Sequence, residues 1–250
     1  MVYFVTITNY NKFVSIQSIY EQALEADVSG VALKSSLQRA IKLSEIYENS
    51  IFMKREDTQS VFSFKCRGAY NKIRQLSNRQ NSAGIIAASA GNHAQGVALS
   101  AYQLSLDATI IMPVTTPSIK VDAVSNLGAK VILFGDSYDD AYDYALKLSE
   151  SEGSTFIHPY DDPQVIAGQA TIALEILDQL SEPIDYLFVA VGGGGLLAGV
   201  LSVFKTISPS TVIVAVEPEN SDCLAAALRE NKRVILDSVS IFADGGAGKQ

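Results

Sequence analysis

The sequence predicts an α/β fold built on open, mostly parallel sheets, and three observations carry that expectation. Short apolar runs alternate with longer amphipathic ones along the whole chain. The runs are too short and too apolar for strands with one wet face, which suits parallel strands covered on both sides. The composition, 48% hydrophobic and 18% charged, excludes a disordered tail or a coiled coil.

In chain order, helical spacing covers 16–28 and 36–48, and the run Ile51–Lys54 reads as the first strand. A helical pattern over 66–77 leads to the strand Gly84–Ser89, and another over 92–104 leads to Ala108–Met112. The same alternation gives helix 118–127, strand Lys130–Phe134, helix 137–151 and strand Thr155–Ile157. A long pattern over 163–180 precedes the strand Tyr186–Val191; helix 195–206, strand Val212–Val216, helix 221–230 and strand Val234–Leu236 complete the series. Strands and helices in this order imply right-handed crossovers. There is no internal repeat and no low-complexity linker, so a second domain is expected inside the sheet order, not on a tether.

The chain has 250 residues, enough to bury a full core as one domain or two small ones. Lys and Arg number 19 against 27 Asp and Glu, a net charge of -8. That balance argues against nucleic-acid binding, which needs a positive footprint. Cys66 and Cys223 are far apart, with neither disulfide nor zinc spacing, and read as reduced thiols of a cytoplasmic protein. With only His93 and His158, no metal site built on histidines is expected. No apolar run approaches the ~20 residues that span a bilayer. The opening MVYFVTITNYNKF has no charged segment before its apolar stretch and does not read as a signal peptide.

Ligands of open α/β sheets bind beyond the carboxyl ends of the strands, so the residues just after each run carry the functional information. Three segments are unusual. In the first, Val191 is followed by Gly192, Gly193, Gly194 and Gly195, then by Leu196 and a helical pattern. Four glycines cost backbone entropy and contribute no packing. Their N–H groups and the following helix N-terminus suit an anion such as phosphate, with a plain flexible connection as the alternative. In the second, Ser89-Ala90-Gly91-Asn92-His93-Ala94-Gln95-Gly96 ends a strand and starts a helix. Asn92 reads as its N-cap, or the exposed donors bind a carboxylate; His93 alone reads as a structural histidine. In the third, Lys65 lies between Phe64 and a helix start, a solvated lysine or an amine nucleophile with lowered pKa.

Together these segments resemble fold-type II pyridoxal-phosphate (PLP) enzymes, the tryptophan synthase β family, and within it the threonine dehydratases. The motifs SFKCRGAYNKI, SAGNHAQG and VAVGGGGLLAG occur in the family's order between about Ile19 and Lys249. The resemblance implies that Lys65 carries PLP, that Phe64 flanks its ring and that Asn92 bonds its ring oxygen. It implies that Gly192 to Gly195, with Leu196, bind the phosphate, and that Ser89, Ala90, Gly91 and His93 hold the substrate carboxylate. It implies a discontinuous PLP-binding domain over 1–55 and 156–250, a smaller α/β domain inserted over 56–155, and the cofactor in the cleft. The implied reaction is deamination of threonine, and of serine, by β-elimination of water. Lys65 is the expected base; the products are 2-oxobutanoate or pyruvate, with ammonia. The KREDTQ segment is similar to the biosynthetic branch, whose product serves isoleucine synthesis. A small amino acid as partner and a homo-oligomer, dimer or tetramer, come with the same resemblance. Related serine racemases carry a second Ser where Ala90 stands; a methyl group moves no proton, which favours elimination.

Four departures accompany the resemblance. Cys66 stands where the family has an apolar or small residue, and reads as a small buried hydrophobe. The segment Phe242 to Lys249 resembles F-A-D-G-V-A-V-K with Gly246 and Gly248 in place of valines, which loosens whatever it starts. Glu217 and Asp222 lie where racemase-like relatives bind a divalent cation, at a spacing that fits poorly, so no metal is assigned. The segment that places Ser or Cys against the pyridine nitrogen, and the C-terminal regulatory domain, have no counterpart in the sequence. The expectation is therefore a catalytic-domain fragment or a shortened chain, with an inactive PLP-fold protein and a serine racemase-like enzyme as alternatives. Another is an NAD enzyme, since Gly193, Gly195 and Ala198 match G-x-G-x-x-[GA] and Glu217 ends the next strand.

Overall fold

The computed structural model describes residues 15–77, 83–236 and 239. In chain order they form α1 (Ile16–Glu25), β1 (Leu37–Arg39), α2 (Ile41–Ile46), β2 (Phe52–Lys54), a 3-10 turn (Glu56–Thr58) and α3 (Lys65–Ser77). There follow β3 (Ile85–Ala88), α4 (Asn92–Gln103), β4 (Ala108–Met112), α5 (Ser118–Ser125), β5 (Lys130–Leu133), α6 (Tyr138–Glu152) and β6 (Thr155–Phe156). The last elements are α7 (Pro163–Gln179), β7 (Tyr186–Ala190), α8 (Gly195–Ile207), β8 (Val212–Val216) and α9 (Cys223–Glu230).

The chain divides into two compact units. One takes Met1–Ala26, His158–Ala173 and Pro183–Gln250; the other takes Asp27–Ile157 and Leu174–Glu182. The second unit thus contains residues 56–155 together with 27–55 and the end of α7.

In this second unit a parallel sheet has the order β5-β4-β3-β6. Its inner strands β3 and β4 are covered on both faces, as their continuous apolar character requires. Ile85 and Ala87 point to Ala69 and Ile73 of α3 and Val97 and Ala101 of α4. Ile86 and Ala88, one step out of phase, meet Ala141 and Ala145 of α6. The strand order steps from β3 through β4 to β5 and then returns to β6 on the other side of β3. That reversal is a switch point, and β3 sits beside it.

In the first unit β7 and β8 pair in parallel, from Tyr186 opposite Val212 to Ala190 opposite Val216. Helix α8 is buried along most of its length and packs against α1 and β7. Gly199 lets α8 approach α7 closely, since a Cβ there would lie 2.6 Å from the Ile166 carbonyl oxygen.

Three expectations need correction. The helix read over 36–48 is instead β1 followed by α2. Leu37, Gln38 and Arg39 pair antiparallel with Lys54, Met53 and Phe52, so a long-range ladder overrides the local helical spacing. The apolar spacing found no core to face: Ile41 and Ile46 are 65% and 69% exposed. Val234–Leu236 forms no strand, and β2 is antiparallel rather than a member of the parallel sheet. The segment Phe242 to Lys249 lies outside the described residues.

Candidate functional site

Lys65 is the first residue of α3, half-buried, with its Nζ 5.5 Å from the centre of the Phe64 ring. Burial pushes its amine down to about 8 from an ordinary 10.5. An apolar setting disfavours the charged ammonium, which is how a lysine becomes a nucleophile near neutral pH. The backbone at Lys65 is held against α4. A Cβ at Gly96 would lie 2.9 Å from the Lys65 carbonyl carbon, so only glycine admits this approach.

Two residues further on, Arg67 has no exposed surface and is tied to residues distant in sequence. Its Nε and Nη2 donate to Glu56 at 2.8 Å each, and Nη1 and Nη2 donate to Glu175 at 2.7 and 3.0 Å. Nη2 also donates to the Leu33 carbonyl at 3.1 Å. Lys54 Nζ donates to Glu175, to Gln179 and to the Ser35 carbonyl. The Ser35 hydroxyl and the Gln59 amide complete the shell of Glu56. Two cations thus face two carboxylates out of water, with every charged oxygen engaged, the condition under which burial of such a cluster is tolerated. Neither Arg67 nor its partners stood out in the sequence. The signal available was KREDTQ, with its charges at a strand end ahead of an apolar stretch.

The turn after β3 lies at the switch point. Helix α4 begins at Asn92 with Gly91 as its N-cap, which corrects the reading of Asn92 as the cap. Gly91 has no side chain with which to cap this helix, and an α-helix leaves its first N–H groups without intrahelical partners. A Cβ at Gly91 would meet nothing within 4 Å, and the Gly91 N–H donates to the Ser89 hydroxyl at 3.2 Å. Ser89, Ala90 and Gly91 are half-buried and Asn92 is exposed. His93 is buried, and its Nε2 donates to the Ile157 carbonyl at 2.9 Å. That bond joins the first turn of α4 to the end of β6, across the strand order's reversal.

In the other unit, β7 runs through Val191 into Gly192 to Gly195 and then α8. Gly194 is the N-cap residue in left-handed backbone, φ +82°, with open space where a side chain would stand. As a glycine it too offers no capping side chain to α8. Gly193 and Gly195 are glycines for a different reason, which the sequence did not reveal: both lie against Tyr160. The H-P-Y-D-D segment that carries Tyr160 follows β6 directly, so the strand-end rule used above was enough to mark it.

Glu217 follows β8, and its carboxylate accepts the N–H groups of Leu224 and Ala225 at 2.9 Å each. It caps the N-terminus of α9 with both oxygens, which is the role expected for an acid there. Cys66 is fully buried, its thiol pushed up to about 11 by burial, and packs with Ala32, Val61 and Leu99. Among the described residues no group of three or more His, Cys, Asp or Glu could hold a metal ion, and no helix is long and apolar enough to cross a membrane.

Comparison with known proteins gives a consistent answer. The family described as pyridoxal-phosphate dependent enzyme matches residues 28–249. A chloroplastic biosynthetic threonine dehydratase of Solanum lycopersicum is 53% identical over 226 residues, covering 90% of this chain and 37% of that protein. A biosynthetic L-threonine dehydratase of Burkholderia multivorans is 50% identical, covering 92% of this chain and 46% of the other. The chain therefore spans less than half the length of these two relatives. Among solved structures, the processed form of threonine deaminase isoform 2 from Solanum lycopersicum superposes with a TM-score of 0.91 at 48% identity, over 94% of this chain and 64% of that one. Maize serine racemase superposes with a TM-score of 0.88 at 32% identity, over 94% and 71%.

Proposed function

The chain belongs to the pyridoxal-phosphate-dependent enzyme family, and from that premise we propose that its reaction is the deamination of L-threonine by β-elimination of water. The products are 2-oxobutanoate and ammonia, and L-serine in the same reaction gives pyruvate. The observation that carries this reading is the identity of about half with threonine dehydratases over nine-tenths of the chain. The NAD reading loses its main support: the family is that of PLP enzymes, and Glu217 is engaged at the start of α9.

The residues present fit the cofactor. Lys65 offers an amine lowered to about 8. The glycine loop leads into a helix N-terminus whose N-cap is itself a glycine, a donor set suited to a phosphate. PLP, when bound, supplies the electron sink that makes an amino acid's α-proton removable.

In this proposal Lys65 would hold the cofactor, with Phe64 beside its ring. Asn92 would bond the ring oxygen, and the N–H groups of Gly192, Gly193, Gly194, Gly195 and Leu196 would receive the phosphate. The N-terminus of α4, with a glycine N-cap and open space at Gly91, would orient the substrate carboxylate through Ser89, Ala90 and Gly91. His93 keeps that turn in place by its bond to Ile157. Displaced from the cofactor by the substrate's own amino group, the freed Lys65 amine, lowered to about 8, would take the proton from the substrate Cα. Ala90 offers no second proton carrier, which favours elimination over racemisation. A cytoplasmic location and a homo-oligomer belong to the same proposal; the tomato relative's name puts that protein in the chloroplast.

The test is spectroscopic and chemical. Adding PLP should give a visible absorbance that hydroxylamine bleaches, and L-threonine should then yield a 2-oxo acid. Lys65→Ala should lose both. A chain that gains the absorbance but releases no 2-oxobutanoate from threonine refutes the assigned reaction.

A further inference from the structure

Why must the loop after β7 be glycine at 193 and 195, when only Gly194 needs left-handed backbone? A Cβ at Gly193 would lie 2.2 to 2.5 Å from Cδ1, Cγ and Cε1 of the Tyr160 ring. A Cβ at Gly195 would lie 2.7 Å from the Tyr160 carbonyl oxygen and 2.9 Å from its Cβ. Real side chains do not tolerate such distances, so the loop is moulded on one residue: on its ring at 193, on its backbone at 195.

Tyr160 is itself held firmly. His158 Nδ1 accepts the N–H groups of Tyr160 at 3.3 Å and Asp161 at 2.8 Å. The imidazole and phenol rings meet edge-on with centroids 4.7 Å apart. Asp162 then accepts from Gln164 N–H at 2.8 Å and Val165 N–H at 3.2 Å, fixing the start of α7 behind a proline at its first position. Glycine loops are entropically expensive to order, and a rigid surface beneath one removes conformers before any ligand arrives.

We propose that Tyr160 is a positioning residue for phosphate binding: its ring is the template that holds Gly192 to Gly195 in the shape that receives a phosphate monoester. This rests on the reading of the chain as a PLP enzyme, but the packing claim is independent of it. His158 serves the template by pinning the peptide whose carbonyl underlies Gly195.

Two readouts test it. The first is urea unfolding of Gly193→Ala and Gly195→Ala, each alone and combined with Tyr160→Ala. Gly193→Ala should lower the midpoint in the Tyr160 protein and much less in the Tyr160→Ala background, because the ring it strikes is gone. Gly195→Ala should cost the same in both, since the atoms it meets remain after the truncation. Equal costs for Gly193→Ala in both backgrounds overturn the template. The second readout is binding of PLP against pyridoxal, which lacks the phosphate. Tyr160→Ala should weaken PLP by about tenfold or more while pyridoxal changes by less than about twofold, and Tyr160→Phe, which keeps the ring, should bind both normally. Equal weakening of both ligands by Tyr160→Ala, or no weakening of PLP, overturns the phosphate role. A wild-type chain that binds PLP no better than pyridoxal overturns that role and the proposed cofactor together, while the unfolding series still decides the packing.

Discussion

Replacing Arg67 with Met removes a guanidinium from the centre of a closed charge network and leaves its carboxylates behind. At least five hydrogen bonds disappear, four of them to Glu56 and Glu175. Glu175 keeps Lys54 as a cation, whereas Glu56 keeps only Ser35 and Gln59. One carboxylate is thus left buried without a counter-charge. Breaking a buried pair in this way costs about 3–5 kcal/mol, most of it the desolvation of the abandoned charge. With a urea slope near the upper end of the range of about 1–3 kcal/mol/M, the unfolding midpoint should fall by about 1–2 M. The control is Lys34→Ala, which removes an ion pair to Asp178 whose side chains are 53% and 69% exposed. That midpoint should not move, because water already screens the pair. An Arg67→Met midpoint within about 0.3 M of wild type would refute the reading of Arg67 as the counter-charge on which buried Glu56 depends.

The remaining predictions concern the ionisable groups. Reaction of Lys65 with a phosphate-free aldehyde should rise with a midpoint near pH 8, the value to which burial pushes its amine; a midpoint at 10.5 would refute that environment. Because the folded pKa lies below the unfolded one, stability should increase from about pH 8 towards 10.5, where the unfolded chain binds the proton that folded Lys65 has lost. Lys65→Met should abolish that rise in pH-dependent unfolding. Both thiols are buried and pushed up to about 11, so a thiol titration at pH 8 should read almost nothing in the native chain and both cysteines after unfolding. Fast native reaction of either would contradict the packing. Glu217→Ala should lose the cap of α9 at a cost of about 0.5–2 kcal/mol, read by urea unfolding, and an unchanged midpoint would exclude the capping role.

Much of the scaffold was legible in the sequence. Ala108–Met112 and Val212–Val216 match the observed strands at both ends, and α3, α4 and α8 begin at or within one residue of their expected starts. The ends of these elements are marked locally, by apolar spacing and by glycine or proline near their borders. The failures share a cause. Helix 36–48 and strand Val234–Leu236 had acceptable local patterns, but a strand exists only by pairing, and pairing is long-range. Leu37–Arg39 found Phe52–Lys54 and became β1, whereas Val234–Leu236 took no regular form.

By itself the sequence determined the βα alternation, the helix-start position of Lys65, the strand-end positions of Ser89 to His93 and Gly192 to Gly195, and the chemistry those residue types offer. Only the tertiary structure decided what each one meets. Arg67 lies two residues from Lys65 but takes its partners 11 and 108 residues away. Gly193 and Gly195 looked like a loop made for a ligand, and two of the four glycines prove to be glycine because Tyr160 fills the space. Lys65 is an ordinary lysine in sequence, and its amine is lowered because the fold takes it out of water. Local pattern fixes backbone conformation through neighbours within a turn or two. Burial, and with it charge state and packing, depends on segments that become neighbours only when the chain folds.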